Sequence, residues 1–214
     1  MSRIKICGVT EIADLRACID AGVDAVGINF WRGSKRYVTR DRADDLLRGA
    51  SDRGDMMIVG VFVDADVGEV ARTARSLALD AIQLHGDALV EGYAALGIPY
   101  VLVLRGTPVL ESVRIASAPP MWILLDAFTA SYGGAGATTD WSWAHAAVQH
   151  FAPLPVWLAG GIHPNNAHEA LRQVDPAGLD VASGAEREGA SHGEKDASKI
   201  ATLCAICHKW KAQP

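Results

Sequence analysis

"RIKICGVT", residues 3–10, is a short apolar run that closes on Cys7 and turns out into a loop at Gly8. A run of this length, ended by a residue that favours tight turns, reads as a strand. Seven more runs follow: "DAVGINF" (24–30), "MIVGVFV" (57–63), "DAIQLH" (80–85), "PYVLVL" (99–104), "MWILLD" (121–126), "PVWLAG" (155–160) and "GLDVAS" (178–183). Most are continuously hydrophobic, as strands covered on both faces are. Between them lie alanine-rich stretches with helical spacing, such as Ile12, Leu15 and Ile19, or Val67, Val70, Ala71, Ala74 and Leu77. Thr10 before Glu11 marks one helix start, and Pro164 after "GGIH" marks another in its first turn. Eight alternating strand and helix pairs imply a parallel sheet closed on itself. The expected fold is therefore an α/β, single-domain (βα)8 TIM barrel over residues 1–214, with a doubly wound open sheet as the alternative.

Half of the 214 residues are hydrophobic, enough to bury a core in one domain, and the formal net charge is −5. No run of basic residues appears, which argues against nucleic acid as a partner. No apolar stretch approaches the ~18 residues of a membrane span, and the first strand leaves no room for a leader, so a cytoplasmic protein without membrane contact is expected. Four cysteines without a secretory signal read as free thiols.

In such a barrel the reactive groups sit at the C-terminal ends of strands. Those ends carry Cys7, Asn29, Asp64, Gln83 with His85, Arg105, Asp126, Gly160 with Gly161, and Asp180 with Ser183 and Gly184. A buried cysteine often serves as a small hydrophobe and an aspartate often caps a turn, so either alone says little. Together at one barrel mouth they read as an acid–base pair. A thiolate, its pKa lowered by nearby positive potential, takes a proton from carbon, and a carboxylic acid gives one to oxygen. "LAGGI" (158–162) and "ASGAE" (182–186) place small residues after strands seven and eight, where this fold binds phosphate through backbone N–H groups. In "RGSKRY" (32–37), Arg36 suits a planar carboxylate, although a solvated loop reads the same way.

"CAICH" (204–208) fits the c-type haem attachment pattern, but Cys207 falls on the core-facing spacing Ile200, Leu203, Cys207, Trp210. No second cysteine pair or HExxH cluster completes a metal site, so no metal is expected.

"KICGVT", "QLHG" (83–86), "LLDAF" (124–128), "YGGAG" (132–136), "LAGGI" with Pro164 and Asn165, and "DVASGAE" followed by "GEKD" (193–196) together resemble the phosphoribosylanthranilate isomerase family of tryptophan biosynthesis, in order and from end to end. The resemblance implies a cofactor-free barrel that carries out the Amadori rearrangement of N-(5-phosphoribosyl)anthranilate to 1-(2-carboxyphenylamino)-1-deoxyribulose 5-phosphate. It implies Asp126 as general acid and Cys7 as base, Arg36 on the anthranilate carboxylate, Gly160, Gly161, Ser183 and Gly184 on the phosphate, and His85 and Asp180 near the sugar. A phosphorylated sugar linked to anthranilate would be the small-molecule substrate, and the chain would act as a monomer or homodimer. "GGAGATTDW" departs from the family's flap, with Ala135 and Ala137 where a threonine and a lysine are usual. Two other readings are the related histidine-pathway isomerase, which carries an aspartate where Cys7 stands, and a non-catalytic barrel that binds sugar phosphates.

Overall fold

In the computed structural model, residues 2–50, 52–86, 90–127, 139–190 and 193–210 are described. Strand β1 (Arg3–Cys7) pairs in parallel with β2 (Ala25–Asn29) on one side and β8 (Gly178–Val181) on the other. Strands β3 (Met57–Val63), β4 (Ala81–His85), β5 (Tyr100–Arg105), β6 (Trp122–Asp126) and β7 (Val156–Leu158) complete a closed barrel in chain order. Every expected run holds its strand to within two residues at either end; β5 runs one residue beyond its run to Arg105, and β2, β7 and β8 are the strands shortened by two residues or more.

The helices are α1 (Ile12–Ala21), α2 (Arg40–Arg48), α3 (Val67–Ser76), α4 (Val90–Ala94), α5 (Trp141–Phe151), α6 (Ala167–Val174) and α7 (Ala197–Lys209). The eighth expected helix is missing among the described residues. The β5–β6 connection holds a single 3-10 turn at Leu110–Ser112, between Pro108 and the pair Pro119–Pro120, which cannot continue a helical ladder.

Two expected helix starts move. The residue before α1 is Glu11, and its side chain makes no capping bond. Helix α6 begins three residues after Pro164, because Asn166 first closes a turn: its Oδ1 accepts from the His163 N–H at 2.8 Å and its Nδ2 donates to the Gly161 carbonyl at 2.9 Å. The buried face of α1 is Asp14, Leu15 and Cys18, while Ile12 is exposed. Asp14 turns inward because its Oδ2 accepts from the Lys195 N–H at 3.0 Å.

Outward-facing strand residues such as Ile4, Ile6, Ile28, Ile58, Ile123 and Leu179 form one core with the inner faces of the helices. A second core fills the barrel itself: Ala25, Val59, Ala81, Val101, Trp122, Leu124, Trp157 and Ala159. Its base is a pair of stacked indoles, Trp122 and Trp157, with ring centroids 4.6 Å apart. Gly178 on the neighbouring strand makes room, since a Cβ there would lie 2.5 Å from the Trp157 ring. Trp157→Ala is expected to destabilise the fold by about 3–5 kcal/mol, through lost burial and an unfilled cavity, as read by urea unfolding.

Candidate active site

Strand alternation puts Lys5 and Cys7 on the same, inward face of β1. Lys5 is fully buried, and its Nζ donates to Asp180 Oδ2 at 2.8 Å from the facing position on β8. The same ammonium also acts electrically on the Cys7 side chain. Burial works against the Lys5 charge, but Asp180 and Cys7 outweigh it and its pKa is raised. Gly27, opposite Cys7 on β2, is what lets the two heads meet there. A Cβ at that position would lie 2.8 Å from Cys7 Sγ and 3.0 Å from Lys5 Nζ.

The thiol departs from the expectation of a lowered pKa. Burial raises it, Asp180 adds to the rise, and Lys5 and Lys195 only partly oppose them. Cys7 therefore rests as the thiol at neutral pH.

Asp126 ends β6, directly opposite Arg105 of β5, and its Oδ1 accepts from the Ala127 N–H at 2.9 Å. Burial, reinforced by the Asp180 carboxylate, raises its pKa to about 6 against the pull of Arg105 and Lys5. Lys5 and Asp180 thus act electrically on both Cys7 and Asp126. His85, at the end of β4, is pushed down to about 3 by burial and then by Lys5 and Arg105, so it is a neutral imidazole. Its Nε2 lies 2.8 Å from Gln83 Nε2. His85 Nδ1, Gln83 Oε1 and Asp180 Oδ1 are buried with no hydrogen-bond partner among the described residues. Unsatisfied buried polar atoms are costly, and three of them at one barrel end match a site that binds a polar ligand.

Arg36 crosses the end of β1. Its side chain runs over Gly8, where φ is +73° and a Cβ would lie 2.3 Å from Arg36 Cδ. Its Nε and Nη2 donate to Glu186 Oε1 and Oε2 at 2.5 and 2.9 Å. The loops after β7 and β8 meet as expected: a Cβ on Gly184 would fall 1.9 Å from the Ile162 carbonyl oxygen. Gly160 and Gly161 have φ of 85° and 65°, and Ser183 and Gly184 open a 3-10 turn. The N–H groups of Gly160, Gly161 and Gly184 donate to no acceptor among the described residues. The expected phosphate residues are therefore contiguous.

Sequence reasoning passed over Lys5, Glu186 and Lys195, all buried charges. A lysine two residues before the cysteine in a strand was the signal for the first. Asn29, read as a strand-end candidate, uses its Oδ1 on the Trp31 N–H at 2.9 Å. Cys204 and Cys207 are buried on α7, with thiols raised by burial to about 11 and about 12, and His208 meets Asp24 at 3.3 Å. The three face the protein rather than an open haem edge. Among the described residues no group of three His, Cys, Asp or Glu could hold a metal ion, and no helix is long and apolar enough to cross a membrane. Ala135 and Ala137 lie outside the described residues; of that loop, Thr139 donates to the Ala159 carbonyl at 2.9 Å and Asp140 caps α5.

Residues 4–205 match the family model described as N-(5'phosphoribosyl)anthranilate (PRA) isomerase. The chain is 38% identical over 202 residues to N-(5'-phosphoribosyl)anthranilate isomerase of Myxococcus xanthus, covering 92% of each chain. It is 40% identical over 203 residues to that of Magnetococcus marinus, covering 92% of this chain and 91% of the relative. Among solved structures, phosphoribosyl anthranilate isomerase from Thermotoga maritima aligns with a TM-score of 0.83 at 30% identity, over 98% of this chain and 100% of that one. A phosphoribosyl anthranilate isomerase in complex with reduced 1-(o-carboxyphenylamino)-1-deoxyribulose 5-phosphate aligns with a TM-score of 0.80 at 28% identity, over the same shares.

Proposed function

This chain belongs to the N-(5'-phosphoribosyl)anthranilate isomerase family, and from that premise we propose that Cys7 and Asp126 divide the proton transfers of its Amadori rearrangement. The enzyme acts in tryptophan biosynthesis and converts N-(5'-phosphoribosyl)anthranilate to 1-(2-carboxyphenylamino)-1-deoxyribulose 5-phosphate. Asp126, whose carboxyl is held protonated up to about pH 6, gives its proton to the furanose ring oxygen. The ring C1–O bond breaks, and the anilino nitrogen's lone pair forms the C1 iminium.

The iminium makes the C2 hydrogen acidic, and the Cys7 thiolate removes it to leave an enolamine. A proton then adds to C1 as the C2 hydroxyl becomes the ketone. Lys5, whose positive charge opposes the rise of the thiol's pKa, stabilises the thiolate as it forms. Asp180, paired with Lys5, keeps that ammonium in place. His85, neutral and with Nδ1 unpartnered among the described residues, is suited to a sugar hydroxyl. Arg36 takes the anthranilate carboxylate, and Gly160, Gly161, Ser183 and Gly184 take the phosphate through their backbone.

The observation that carries this reading is the buried Lys5–Asp180 pair acting on both the thiol of β1 and the carboxyl of β6. It is tested by running the reaction in D2O and following the product by NMR. The expected product carries deuterium at C1. Turnover of the larger bis-phosphate substrate of the histidine pathway, with none of N-(5'-phosphoribosyl)anthranilate, would overturn the reading.

A further inference from the structure

Arg36, Glu186 and Lys195 form a buried array at the rim of β1 and β8. Glu186 holds the Nε side of the Arg36 fork with both carboxylate oxygens. A guanidinium bound in this way is fixed in plane, and its other edge, Nη1 with the second Nη2 proton, stays available as a two-pronged donor. Nη1 has no partner among the described residues, whereas Glu186 is itself held by the Gly193 N–H at 3.2 Å and by Lys195 Nζ at 3.2 Å.

Lys195 Nζ also donates to the Cys7 carbonyl at 2.8 Å and to the Ala182 carbonyl at 3.1 Å. Three acceptors around one nitrogen match the three donors of an ammonium, which fits the charged form despite the lowering of its pKa by burial. Among the described residues, these bonds join two cations, Arg36 and Lys195, to the Glu186 carboxylate. Asp14 from α1 faces the Lys195 peptide N–H, and Lys199 is directed to the Glu186 carbonyl and to Glu188.

We propose that Glu186 is a positioning residue that presents the Arg36 guanidinium as a preformed receptor for an aryl carboxylate, with Lys195 anchoring Glu186 to the strand end that carries Cys7. The proposal rests on the assignment of the anthranilate carboxylate to Arg36 made above. It adds what makes that contact selective: a fork locked before substrate arrives, so that little ordering is left for binding.

The test uses the full chain and two ligands, reduced 1-(o-carboxyphenylamino)-1-deoxyribulose 5-phosphate and its counterpart lacking the aryl carboxylate, with affinities measured by calorimetry. Wild type is expected to prefer the carboxylated ligand by about 10- to 100-fold, the scale of a charge-assisted pair. Glu186→Asp keeps the charge but lacks the reach to hold both Arg36 nitrogens. It is expected to cut that preference at least fivefold while leaving the carboxylate-free ligand's affinity within twofold, and Arg36→Met is expected to abolish the preference.

Full preference retained in Glu186→Asp, or equal weakening of both ligands, would overturn the positioning role while leaving Arg36 its assignment. Tighter binding of the carboxylated ligand would make Glu186 a competitor and also overturn it. Preference retained in Arg36→Met would refute the underlying assignment. If Glu186→Asp does not fold, 15N NMR of ligand-free wild type decides. The Arg36 Nε proton is expected to exchange with water far more slowly than those of the exposed Arg32 and Arg40, and equal exchange would overturn the proposal.

Discussion

Cys7→Ala is expected to lower kcat by about 10²–10⁴-fold, the usual contribution of a positioned general base, with KM changed far less. Removing the sulfur takes away the acceptor for the C2 proton without touching the phosphate or carboxylate contacts. Cys7→Ser is expected to be almost as slow, because a hydroxyl keeps the hydrogen-bonding shape but ionises far less readily than a thiol. Single-turnover rates with saturating substrate separate this loss from a binding defect. A change confined to KM would remove Cys7 from the chemistry.

Asp126→Asn is expected to cost a similar factor, and the pH dependence distinguishes its role. The reactive form has Asp126 protonated and Cys7 ionised, whereas the resting pKa values run the other way: about 6 for Asp126 and above the ordinary thiol value for Cys7. Below about pH 6 the acid is intact and thiolate grows with pH, so kcat/KM rises. From there up to the thiol's own range each gain in thiolate is cancelled by loss of the protonated carboxyl, and the profile is flat. Above that range the thiolate is complete, the acid continues to vanish, and the rate falls. In Asp126→Asn the cancellation disappears, so residual activity is expected to keep climbing about tenfold per pH unit through neutrality into the thiol's range. A flat profile in the variant would deny Asp126 its part as acid.

The fold was legible because most strands are contiguous apolar runs that need no distant information. The missing β5–β6 helix was legible in principle too, since Pro108, Pro119 and Pro120 bracket it. What local pattern could not supply was which partner a polar residue finds across the barrel. Asp14 sits at an ordinary helical position, and only the arrival of the Lys195 N–H, far along the chain, turns it inward and Ile12 outward.

The same holds in the site. Cys7 and Asp126 were readable as strand ends, but the direction of the thiol's shift depends on burial weighed against Lys5, Asp180 and Lys195. Lys5 was hidden by its setting in an apolar run, although the alternation in "RIKIC" already put it beside Cys7. Glu186 and Lys195 carry no local sign of their partners, because Arg36, which closes on Glu186, lies 150 residues away in sequence.

The central claim is that one thiol and one carboxylic acid carry the rearrangement. It is tested most directly by mixing purified protein with freshly generated N-(5'-phosphoribosyl)anthranilate and following the loss of anthranilate fluorescence in wild type, Cys7→Ala and Asp126→Asn at equal protein concentration. Rapid decay in wild type and near-background decay in both variants is the expected result. Decay in either variant at the wild-type rate would contradict it.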